Sequence, residues 1–69
     1  MWILTQNRTE PLNCIHIYIK GNQVMGSTSN EFNIVLGTYE TPERAKEILS
    51  DIFTRKSKYK GFSYGMPTK

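Results

Sequence analysis

Residues 14–27 read Cys-Ile-His-Ile-Tyr-Ile-Lys-Gly-Asn-Gln-Val-Met-Gly-Ser, and this stretch decides the fold. In its first half Ile15, Ile17 and Ile19 alternate with Cys14, His16, Tyr18 and Lys20. A period of two marks a strand with one buried face, because successive side chains leave a strand on opposite sides. Gly21-Asn22 then supplies a two-residue hairpin loop. Glycine at the first central position suits a type II′ turn, and Gly-Asn also accommodates type I′. Such a turn sets the register: Lys20 faces Gln23, Ile19 faces Val24, Tyr18 faces Met25, Ile17 faces Gly26 and His16 faces Ser27. Ile17, Ile19 and Val24 then share one face, where Gly26 leaves room for another element. His16, Tyr18 and Met25 share the other, and the alternation puts Cys14 with them.

On the N-terminal side, Met1–Thr5 is rich in β-formers and reads as a short first strand of undetermined facing. Gln6–Asn13 is polar, contains Pro11 and reads as a connection. On the other side, Thr28-Ser29-Asn30 is a turn. Phe32, Ile34 and Leu36 then alternate with Asn33, Val35 and Gly37 in a last strand. A helix follows. Thr41 can cap it, Pro42 fits its first position, and Glu43 suits its dipole. Ala45, Ile48, Leu49, Ile52 and Phe53 form one apolar stripe at helical spacing. Arg55, Lys56 and Lys58 close the helix, which ends between Lys56 and Tyr59. The expected fold is α+β: an antiparallel four-stranded β-meander with one C-terminal α-helix packed on one face (ββββα). It forms a single domain over residues 1–57, followed by a basic, aromatic tail over 58–69 that reads as extended.

The chain has 69 residues and one cysteine. A domain of this size buries only about 60% of the surface its unfolded chain exposes, so the core is thin. A lone thiol allows no internal disulfide and suits a reducing compartment. The opening has neither a basic leader region nor a long apolar run, and no stretch approaches the roughly 20 apolar residues of a membrane span. The expectation is a cytoplasmic protein with no membrane contact. Charge is divided unevenly. Residues 1–54 hold four cations against six acids, whereas residues 55–69 hold Arg55, Lys56, Lys58, Lys60 and Lys69 with no acid.

Catalysis needs a nucleophile, a base and an orienting group within hydrogen-bond reach. Cys14 and His16, as neighbours on one strand face, stand about 6.5–7 Å apart. No carboxylate shares their strand, so the chain reads as non-enzymatic. Cys14-x-His16 offers two ligands where a closed zinc site takes four, so no metal and no cofactor is expected. No phosphate-binding loop, dinucleotide fingerprint or H-E-x-x-H motif occurs. The tail interleaves Lys56, Lys58 and Lys60 with Tyr59, and Phe62 and Tyr64 follow. Two readings stay open for it: contact with phosphates and bases, or aromatic packing back onto the sheet.

One helix about 10–12 Å wide cannot cover a four-stranded sheet nearly 20 Å across. The uncovered face, with Cys14, His16, Tyr18, Met25 and Val35, has the composition of an interface core and predicts a homo-oligomer. In the alternative the tail covers that face in a monomer. Candidate ligand-binding residues are Arg55, Lys56, Lys58 and Lys60 for phosphates, Tyr59 or Tyr18 for stacking on a base, and His16 beside them.

Met1-Trp2-Ile3-Leu4-Thr5-Gln6-Asn7 with Leu12-Asn13-Cys14, followed by Val35-Leu36-Gly37-Thr38-Tyr39-Glu40-Thr41-Pro42-Glu43-Arg44-Ala45, resembles small uncharacterised proteins of low-GC Gram-positive bacteria and their phages. The resemblance spans about residues 1–53 and carries no catalytic motif. It implies a phage or prophage setting. There a short binding protein would sequester a small anionic, nucleotide-like ligand or block a host defence protein. A non-specific nucleic-acid-binding accessory protein and a structural oligomerisation module are the alternatives.

Overall fold

The computed structural model describes residues 1–8, 11–58 and 63–69, without the side chains of Ser57 and Lys58. Six strands and one helix follow in order: β1 (Trp2–Leu4), β2 (Pro11–Asn13), β3 (His16–Lys20), β4 (Gln23–Ser27), β5 (Ile34–Thr38), α1 (Pro42–Lys58) and β6 (Ser63–Gly65). The α+β class holds, but a single four-stranded meander does not form. The strands make two three-stranded sheets, ordered β2-β1-β6 and β3-β4-β5.

The β3–β4 hairpin has the register dictated by its turn, from Lys20 opposite Gln23 to His16 opposite Ser27. Gly21 has φ +61° whereas Asn22 is not left-handed, which fits type II′ and excludes type I′. Gly26 provides the expected close approach: a Cβ there would lie 2.9 Å from Leu36 Cδ1 and 3.2 Å from Cys14 Sγ.

Cys14 is on the other side from its expected position. Its side chain is buried in the core, while Ile15, expected inside, is 69% exposed. The Ile15 amide donates to the carbonyl of Ser27, the register partner of His16. Two residues therefore stand opposite one, the geometry of a β-bulge, and alternation slips by one position upstream of His16. A second irregularity lies across β4 and β5. Met25 pairs with Val35 while Val24 pairs with Gly37, so Leu36 is the extra residue and turns into the core. Phe32, expected on that strand, lies before it and is 75% exposed. Asn33, at φ 57°, redirects the chain between them.

The other sheet uses segments that read as loop and tail. β2 begins on Pro11, which is tolerated because β2 is an edge strand and Pro11 its first residue. β6 pairs with β1 in parallel, Ile3 opposite Tyr64, so part of the sheet is not antiparallel. Residues 63–69 thus belong to the packed fold, with Tyr64 and Met66 buried. The facing of β1 is settled by Ile3, which is fully buried, and Trp2, which is half exposed.

The core gathers Ile3, Cys14, Val24, Leu36, Tyr39, Ala45, Ile48, Ile52, Tyr64 and Met66, with Leu12, Ile17, Ile19 and Ile34 packed around it. It therefore lies between both sheets and the helix, which rests on β3 and β4. Thr41 caps α1, its Oγ1 accepting from the Arg44 amide at 3.1 Å. Gln6 ties the two sheets together. Its amide donates to Leu36 O at 2.8 Å, and its side chain accepts from Thr38 N and donates to Thr38 O, as a neighbouring strand would.

Candidate functional site

Strand alternation puts His16, Tyr18, Met25 and Val35 on the side of β3-β4-β5 turned away from α1. Met25 is buried between its register partners Tyr18 and Val35. The others line an open surface. Ile15, His16, Tyr18, Ser27, Phe32 and Asn33 border a shallow depression of about 610 Å³. Its polar groups are ordered: the Tyr18 hydroxyl donates to Asn33 Oδ1, and the His16 ring meets Tyr18 edge-on with centroids 5.6 Å apart. None of the lining residues carries a carboxylate, an ammonium or a guanidinium. Sequence reading missed Ile15 and Phe32 as members of this surface. Both depend on backbone irregularities that a period of two cannot anticipate.

The basic residues expected at the site are elsewhere. Arg55 is engaged within α1, its Nε 3.3 Å from Asp51 Oδ1 and its guanidinium 5.9 Å from the Tyr64 ring centroid. The same carboxylate accepts from the Tyr64 hydroxyl at 2.8 Å. Burial, then the hydrogen bond and charge of Asp51, push the Tyr64 phenol up to about 12. This cluster latches β6 to the helix. Lys56 borders a separate hollow of about 190 Å³ with Met1, Cys14, Ile15, His16, Ile17 and Phe53, which brings two of the expected site residues, His16 and Lys56, together. Lys58 ends α1 with its side chain outside the description, and Tyr59 and Lys60 lie outside the described residues. A cradle combining Tyr18 with Arg55 does not form, since Tyr18 faces away from the helix that carries Arg55.

Cys14 and His16 likewise fall on opposite sides of the sheet, and burial pushes the Cys14 thiol upward against the pull of the terminal ammonium. Among the described residues, no cluster of three or more His, Cys, Asp or Glu side chains could hold a metal ion. Among them too, no helix is long and apolar enough to cross a membrane. No protein-family model, curated protein or solved structure matches the chain.

Proposed function

We propose that this chain is a non-enzymatic binding protein whose working surface is the outer face of β3-β4-β5. Of the two actions implied by the phage-type resemblance, blocking a host protein is favoured over sequestering a nucleotide. One observation carries the preference: Ile15 and Phe32, 69% and 75% exposed, frame Tyr18 and His16 around a depression whose lining holds no lysine or arginine, the one ammonium of this face, Lys20, standing at the β3–β4 turn. Apolar groups with aromatic and neutral polar partners match the centre of a protein interface, where charged residues are depleted and aromatics enriched. A nucleotide would bring phosphates to a depression lined by no lysine or arginine.

Native mass spectrometry of the protein recovered from host cells, beside a Phe32→Asp variant, tests this. The expected result is a host protein in fixed stoichiometry on the wild type and absent from the variant. A discrete adduct of nucleotide mass, retained by Phe32→Asp, would restore the sequestration reading and place the ligand away from this face. A steep loss of nucleic-acid affinity with salt would instead support the accessory-protein alternative.

A further inference from the structure

The two edges of the β3-β4-β5 sheet are treated differently. On β5, Gln6 occupies the edge with its amide and side chain. On β3 the edge is open among the described residues. A two-residue hairpin closes on a hydrogen-bonded pair, here Lys20 and Gln23, so Tyr18 with Met25 and His16 with Ser27 are bonded in turn. The N–H and C=O groups of Ile17 and Ile19 then point away from β4. No described residue bonds to them outside the sheet.

Apolar groups flank this edge on both sides. Toward the helix, Ile17 shares a hollow with Phe53, which is 49% exposed. On the outer side stand Tyr18 and the exposed Ile15. The usual protections of an edge strand are proline, charged side chains and a bulge that twists the edge away. β3 contains no proline, and its one charge, Lys20, sits at the turn. Its bulge lies upstream of the two exposed peptide units.

We propose that two copies of this chain pair β3 to β3 in antiparallel fashion about a two-fold axis at Tyr18, joining their sheets into one of six strands. The edge is its own complement. Ile17 and Ile19 lie symmetrically about Tyr18, so each copy's Ile17 meets the other's Ile19 and all four outward peptide units are satisfied. Tyr18 faces Tyr18 and His16 faces Lys20, which sets no two permanent charges opposite each other. A second copy is thus favoured over a foreign strand, whose pattern would have to match independently. The pairing uses backbone groups of β3 and does not rest on the binding role of the outer face, so Phe32→Asp leaves it intact.

Sedimentation over a concentration series is expected to give a species of twice the 8.0 kDa chain mass. Tyr18→Lys sets two ammonium groups opposite each other and is expected to raise the dissociation constant roughly tenfold or more, with an unchanged circular-dichroism spectrum. A variant combining Cys14→Ala with Tyr18→Cys adds a covalent readout. Directly opposed, non-hydrogen-bonded residues have Cα atoms about 4.5 Å apart, within disulfide range. Mild oxidation is expected to link these chains, whereas His16→Cys in the Cys14→Ala background stays unlinked. A monomer at every concentration overturns the proposal, as does a dimer that survives Tyr18→Lys or that position 18 fails to cross-link.

Discussion

The two faces of the β3-β4-β5 sheet are built from the same strands, often from adjacent residues, and have opposite fates. On the inner face Ile17, Ile19, Val24 and Leu36 meet α1 and the second sheet, and the space over Gly26 is filled by Leu36 and Cys14. On the outer face Tyr18 and Val35 shelter only Met25, and Ile15 and Phe32 stand in solvent. Hydrophobicity alone does not separate the two. What separates them is whether another element lies within reach. Among the described residues there are one helix and one small second sheet, and both lie on the inner side.

The contrast predicts mutational costs that fall from inside to outside. Leu36→Ala should be the most damaging, at about 3 kcal/mol in chemical denaturation, because it opens a cavity in the core over Gly26. That is a large share of what so small a domain holds in reserve. Gly26→Ala should cost about 1–2 kcal/mol, since its Cβ would overlap Leu36 and crowd Cys14. In a Leu36→Ala background the added cost should shrink, and additive costs would show that the two sites do not share this space.

Tyr64→Phe should cost about 1 kcal/mol by removing the hydrogen bond to Asp51. It should also change the alkaline limb of the stability curve. The folded phenol ionises near 12 rather than at its ordinary 10.0. Its stabilising contribution is therefore intact below pH 10 and lost as pH rises from 10 toward 12. Denaturation midpoints across that window should fall less steeply for Tyr64→Phe than for the wild type. Phe32→Ser should change stability least, within about 0.5 kcal/mol, because the side chain is mostly in water already. A cost near that of Leu36→Ala would mean that the outer face is covered within the folded chain, and would collapse the distinction between the faces.

Much of this architecture was legible in short-range pattern. The hairpin register followed from Gly21-Asn22, and the helix from Thr41-Pro42 and its apolar stripe, of which Ala45, Ile48 and Ile52 are buried while Leu49 is partly buried and Phe53 is 49% exposed. The aromatic end of the chain had two open readings. Tyr64 packs, but not over the uncovered face as the packing reading had it: it pairs with Ile3 in the second sheet and inserts beside Asp51 and Arg55 of α1. The candidate site was legible only in part. His16 and Tyr18 fell on the outer face as alternation requires, but Arg55 serves as a latch within the fold, because Asp51 one helical turn earlier claims its charge.

By itself, then, the sequence determined the elements whose cause is local: a turn that needs a left-handed glycine, a helix that needs a cap and an apolar stripe, and a strand that needs alternation. Only the tertiary structure decided where Cys14, Ile15 and Leu36 point, since a bulge is set by the partner strand and one extra residue reverses every side chain beyond it. Only it, too, could assemble β2-β1-β6. Three-residue strands carry too little periodicity to declare themselves, and the parallel pairing of β1 with β6 joins Ile3 to Tyr64 across nearly the whole chain.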